Sequence, residues 1–221
     1  MIRLVVFDWN GTLLSDTNAC MDADNHVIKF FSGNPVDLKT YRATVTIPSI
    51  DFYSQHGCKR SSLIKQSKKL GKIFHSFYEE RAKKCRARKG AKKLLELLHK
   101  NSICSIILSN HTAKGIVFQL KRLKLDKYIK YILANDNLDT SMRKRNKTEK
   151  LEKYINGNKI KKNQILIIGD SPEESEISQA LHIKSVLITD GYYSTPRLKN
   201  SKPDFIINNL SELKNIINKI K

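Results

Sequence analysis

Residues 2–12 are Ile2-Arg3-Leu4-Val5-Val6-Phe7-Asp8-Trp9-Asn10-Gly11-Thr12. The run 2–7 is almost uninterrupted apolar sequence, which predicts a strand buried on both faces of a parallel sheet. It stops at a lone carboxylate followed by Gly11-Thr12, where the backbone must turn sharply and can approach a ligand closely. Ligands of open α/β sheets bind beyond the carboxyl ends of the strands. Asp8 is therefore a functional candidate on position alone, with turn former or helix cap as its alternative role.

Working outward, Ser15-Asp16-Thr17 is a helix-start signal after a short apolar turn at Leu13-Leu14. From 16 to about 84 the pattern is helical without a strand signal. One helix closes on Phe30 and Phe31 before Ser32-Gly33-Asn34-Pro35, a second spans about 36–45, and a third follows Pro48. A long basic helix then carries Leu63, Leu70, Phe74 and Tyr78 on its apolar face. Beyond Gly90, helix and strand alternate. Apolar runs at 103–108, 131–133, 165–168, 185–188 and 205–207 predict strands, and 91–99, 112–123, 147–155, 173–181 and 210–220 predict helices. This order predicts an α/β doubly wound parallel sheet with right-handed crossovers. The expected domains are a core of residues 1–15 and 86–221 and a small all-helical insert of residues 16–85. Residues 135–146 read as a polar, basic loop.

The chain has 221 residues, enough for a proper core, and 40% hydrophobic residues. No stretch approaches the roughly 18 apolar residues of a membrane span, and the N-terminal run has no cleavage site of a signal peptide. The four cysteines are scattered without a CxxC pair, which predicts reduced thiols in a cytoplasmic setting. The net charge of +20 is the unusual number. Such a field attracts nucleic acid, anionic surfaces or phosphorylated small molecules, although a lysine-rich compositional bias accounts for it equally. Oligomeric state is not legible.

The strongest strands end in Asp8, Ser109 and Asp170, and Lys147 opens a helix after the basic loop. Carboxyl ends of parallel strands point the same way, so these side chains are expected to meet in one crevice. Two carboxylates, a hydroxyl and an ammonium are the parts that metal-assisted phosphoryl transfer needs.

Asp8-Trp9-Asn10-Gly11-Thr12, Ser109-Asn110, Lys147 and Gly169-Asp170-Ser171-Pro172-Glu173-Glu174 resemble, in order, the four motifs of the haloacid dehalogenase superfamily. The resemblance covers essentially the whole chain and is greatest to the phosphoglycolate-phosphatase-like branch, whose helical cap lies between the first two motifs. It implies a Mg²⁺-dependent phosphohydrolase acting on a phosphorylated small molecule. Asp8 would be nucleophile and metal ligand, with Asn10 (through its carbonyl), Asp170 and Glu174 completing the metal set. Ser109 and Lys147 would grip the phosphoryl group, with Gly11, Thr12 and Asn110 beside it. Lys144 and Lys150 compete with Lys147 for its role. Glu173 and Glu176 read as first-turn acids favoured by the helix dipole.

The sequence departs from the family at Asn10, where most of its phosphatases have an Asp acting as general acid and base. An amide does neither, and such help is typically worth about 10²–10⁴ in rate. Two further readings follow. One is a nucleotide or nucleic-acid-end phosphatase recruited by the charge. The other is a catalytically impaired fold that binds a phosphorylated ligand or a protein partner. In the insert, Arg42, Thr46, Tyr53 and His56 are candidates to face the crevice, as is His111 beside Asn110; packing or solvent-facing roles are the alternatives.

Overall fold

In the computed structural model, which describes residues 1–136 and 146–220, the chain forms a six-stranded parallel sheet with helices on both faces. Lys144 and most of the basic loop lie outside the described residues. The strands are β1 (Leu4–Phe7), β4 (Cys104–Thr112), β5 (Tyr131–Asn135), β6 (Ile165–Gly169), β7 (Lys184–Ile188) and β8 (Phe205–Ile207). They are ordered β5-β4-β1-β6-β7-β8. β1 is hydrogen-bonded on both sides, to β4 in the register Leu4–Cys104 and to β6 in the register Leu4–Ile165. Four consecutive buried residues are what such a central strand requires, because its two faces are both covered.

Alternation along β1 separates two cores. Val5 and Phe7 pack with Leu94, Leu95 and Leu98 of α6 (Ala91–Lys100), Ile116 and Leu120 of α7 (Ala113–Leu123), and Leu213 of α11 (Leu213–Lys219). Leu4 and Val6 pack with Leu151 and Ile155 of α8 (Lys147–Gly157) and with Ile177 and Leu181 of α9 (Pro172–Leu181).

A two-stranded antiparallel ribbon leads to the insert. β2 (Leu14–Ser15) pairs with β3 (Arg86–Ala87), so the apolar turn expected at Leu13-Leu14 is the start of a strand. Between them stand α1 (Thr17–Phe30), α2 (Leu38–Thr44), α3 (Ser49–Gln55), α4 (Arg60–Lys65) and α5 (Ser67–Ala82). The single long helix expected here is broken at Gln66, whose φ of −109° and ψ of 22° leave the helical region. The turn lets α5 run along α1, burying Ala19 and Ala23 against Tyr78 and Ala82. A second cluster joins Tyr41, Phe52 and Tyr53 of the insert to Leu187, Tyr193 and Leu198 of the sheet layer. Leu198 belongs to α10 (Thr195–Asn200), a short helix that the sequence pattern did not reveal. No helix among the described residues is long and apolar enough to cross a membrane, and all four cysteines are free thiols.

Candidate active site

The carboxyl ends of β1, β4 and β6 deliver Asp8, Ser109 and Asp170 to one crevice, which the insert covers to form a cavity of about 120 Å³. Asp8 is fixed by its own backbone, whose N–H donates to the Ile168 carbonyl at 2.8 Å. Lys147, at the start of α8, reaches across the strand ends. Its Nζ donates to Asp8 Oδ1 at 2.6 Å and to Glu174 Oε1 at 2.7 Å, with Glu173 at 3.5 Å. Of the competing lysines, Lys150 donates instead to the Ala134 carbonyl and to Asn135 Oδ1, so it braces β5.

This cluster is fully buried, and its protonation follows from that. Burial alone would lower Lys147, but Asp8, Glu174 and Glu173 outweigh it and hold the ammonium well above its ordinary value. Burial raises Asp8, reinforced by Glu174 and Asp170 and opposed by Lys147. Burial likewise pushes Asp170 up to about 7, against the hydrogen bond from the Tyr192 N–H at 2.5 Å. Buried carboxylates that repel one another suit a hard divalent cation with oxygen ligands, and Asp8 with Asp170 are the donors that fit one here. A Cβ at Gly191 or Gly11 would run into the Asp170 carboxylate, so both close approaches need glycine.

Several expected site residues have other work. Gly11 and Thr12 lie outside the cavity lining. The Gly11 N–H donates to Asp16 Oδ1 at 2.8 Å and its carbonyl accepts from Arg88, while Thr12 Oγ1 donates to Asp170 Oδ1 at 3.1 Å. They shape the loop and hold Asp170. Glu174 stands behind Lys147, and its Oε2 accepts from Ser171 in a capping box at the start of α9. Its neighbour Glu173, expected to be only a first-turn acid, lines the cavity and accepts from Asn110 Nδ2 at 2.8 Å. Ser109 does not cap α7. Thr112 does, and Ser109 Oγ accepts from the His111 N–H at 3.1 Å.

Asn10 faces the cavity with its amide already engaged. Its Nδ2 donates to Asp16 Oδ2 at 2.7 Å and to the Tyr78 hydroxyl oxygen at 2.8 Å. Asp16 also accepts from Tyr78 at 2.6 Å and Tyr192 at 2.9 Å. The helix-start pattern predicts a cap at Asp16, yet its side chain makes no cap for α1. Its partners Tyr78 and Tyr192 lie 62 and 176 positions away, so no local sequence signal marks it. Burial raises Asp16 even against these donors.

On the insert side, Thr46 lines the cavity, whereas Arg42 hydrogen-bonds the carbonyls of Asp190 and Gly191 and His56 pairs with Thr44. Tyr53 reaches the site indirectly, through Asp24. His111 does line the cavity, with Glu79 3.1 Å away and His75 stacked against it at 5.4 Å. His75, Glu79 and His111 offer ligand atoms within 4.8 Å of one another, a set that sequence spacing did not bring out.

The sequence model of the haloacid dehalogenase-like hydrolases matches residues 5–188. The chain belongs to that family. Among haloacid dehalogenase-like hydrolases it is similar to a phosphoglycolate phosphatase of Vibrio parahaemolyticus, 24% identical over 98% of this chain and 96% of the relative. A phosphoglycolate phosphatase of Photorhabdus laumondii is 25% identical over 96% and 91%. In fold it is similar to a haloacid dehalogenase-like hydrolase from Streptococcus pneumoniae, with a TM-score of 0.81 at 20% identity over 98% of both chains. The chain is thus a hydrolase of this family whose curated relatives are named phosphatases.

Proposed function

We propose that this protein is a Mg²⁺-dependent phosphatase that hydrolyses a small phosphate monoester through a phosphoryl group carried on Asp8. The observation that carries the reading is Lys147 bridging Asp8 and Glu174 at 2.6 and 2.7 Å, beside Asp170 and Ser109, in one cavity. An Asp8 oxygen attacks phosphorus, the Asp8–phosphorus bond forms, and the bond to the alcohol oxygen breaks, the departing alkoxide taking its proton from water. Water then attacks the acyl phosphate, its proton leaves to solvent, and Asp8 is released with inorganic phosphate. Lys147, with the hydroxyl of Ser109, neutralises charge on the transferring oxygens. Glu174 positions Lys147. Asp8, Asp170 and the Asn10 carbonyl would hold Mg²⁺, while Glu174, with its oxygens taken by Lys147 and Ser171, stays behind the lysine. When bound, the ion supplies charge neutralisation at the phosphoryl oxygens. Residues 16–85 serve as a cap whose inner surface selects the alcohol.

Asn10 sets the limit of this chemistry, because its amide donates to Asp16 and Tyr78 and cannot protonate an alkoxide. Poor leaving groups are expected to react slowest. The test is a series of alkyl, aryl and acyl phosphates, each with Mg²⁺ and with chelator. Rates that rise as leaving-group pKa falls, and that need the metal, support the reading. Turnover of none of them, or turnover indifferent to metal and leaving group, contradicts it.

A further inference from the structure

The cavity has a second polar feature, on the insert side, that phosphoryl transfer does not use. Asp24 of α1 lines it while only 5% exposed. Its carboxylate accepts from the Tyr53 hydroxyl at 2.6 Å, the Tyr41 hydroxyl at 2.8 Å and the Cys20 thiol at 3.8 Å. All three donors are neutral. A buried carboxylate is ordinarily paired with a cation, and burial without one pushes Asp24 up to about 6.

The walls around it are aromatic. Tyr41, Phe52, Phe74, Tyr78, Tyr192 and Tyr193 line the same cavity. Tyr41 meets Phe52 edge-on at 5.5 Å and Tyr192 at 6.2 Å. Ring faces and a carboxylate together attract a cationic nitrogen and repel an anion. Among the described lining residues Lys147 is the one lysine or arginine, and three carboxylates already surround it. His111 is set against Glu79. A carboxylate on the substrate's alcohol would meet Asp24 with no compensating cation.

We propose that the alcohol part of the substrate carries a cationic nitrogen, an ammonium or substituted ammonium, seated between the aromatic walls and Asp24. This rests on the phosphatase reading for the orientation of the phosphate toward Asp8. The ester spans the cavity, with its anionic end at Lys147 and its cationic end at Asp24.

The experiment compares kcat/KM, with Mg²⁺, for phosphocholine and phosphoethanolamine against phosphoglycolate, with phenyl phosphate as the uncharged reference. The ammonium esters are expected to exceed phosphoglycolate by about tenfold or more, and D24N should narrow the ratio of ammonium ester to phenyl phosphate. The wild-type panel decides even where the variant does not fold. If phenyl phosphate is hydrolysed and phosphoglycolate equals or exceeds the ammonium esters, the cation site is overturned while the phosphatase reading stands. If no ester is hydrolysed, the phosphatase reading fails and calorimetric titration decides the site: binding of choline and not glycolate upholds it, and no binding of choline overturns it.

Discussion

Two groups of buried acids face one cavity, and they are satisfied in opposite ways. On the sheet side Asp8, Glu173 and Glu174 converge on the ammonium of Lys147. On the insert side Asp24 has two tyrosine hydroxyls and a thiol. The first arrangement is hydrogen-bonded together before any ligand enters, which suits chemistry that must stabilise developing charge without reorganising. The second leaves a carboxylate short of a cation, which suits recognition, because the missing charge can arrive with the ligand. The proposed chemistry thus sits on strand ends and the proposed selection on the helices above it.

The largest effect should come from removing the cation on the sheet side. Lys147→Ala leaves Asp8, Glu173 and Glu174 buried without their partner, and a fall in kcat of about 10³ on an aryl phosphate is expected, checked by steady-state kinetics. If activity survives, the two groups of acids do not differ in the way proposed.

Next comes Asn10→Asp, which adds an acid to the sheet side. The new carboxyl would stand 2.7 Å from Asp16 in place of an amide donor, so the pair would hold a proton near the leaving group. A gain of about 10² on alkyl phosphates is expected, with far less on aryl phosphates. An equal change for both classes would remove Asn10 from the account of leaving-group protonation.

How much of this was legible differs between the two groups. The sheet side could be read because apolar runs end abruptly in Asp8, Ser109 and Asp170, and parallel strands bring such ends together. Lys147 reaches Asp8 at the strand ends, whereas Lys150 turns to β5. What could not be read were polar networks between distant residues. Asp16 is joined to Tyr78 across 62 positions and to Tyr192 across 176. Asp24 lies on α1 at a position that reads as a solvated helix face until Tyr41 and Tyr53 are packed against it. Glu173 sits in a helix first turn, where the dipole explains an acid without a site. The break at Gln66 and the six-residue α10 were hidden for another reason: tertiary packing ends one helix and starts the other, with little signal in periodicity.

A smaller effect tests the insert side through stability. Burial raises Asp24 from 3.8 to about 6, so between these values the folded state holds a proton that the unfolded state has released. Stability should therefore fall as pH rises through this window, by up to about 3 kcal/mol, and stay level above it. Asp24→Asn removes the titration. Chemical denaturation from pH 3.5 to 7 should show the variant gaining on the wild type across the window, and parallel curves would mean that Asp24 has a cation after all. A saturating ammonium ligand should flatten the wild-type curve in the same way.

The smallest effect belongs to Tyr192→Phe, which removes one of the side-chain donors to Asp16 and leaves Asn10 and Tyr78 in place. A loss of about 1 kcal/mol in the urea unfolding free energy is expected. A much larger loss would mean that Asn10 and Tyr78 do not hold Asp16 without Tyr192.

The central claim is that phosphoryl passes through Asp8. The most direct test is to quench the protein in acid during turnover of an aryl phosphate with Mg²⁺ and to measure intact and peptide masses. The account predicts one added phosphoryl group, mapped to Asp8 and absent in Asp8→Asn. Rapid turnover with no phosphorylated protein, or with the phosphoryl group on another residue, would contradict it.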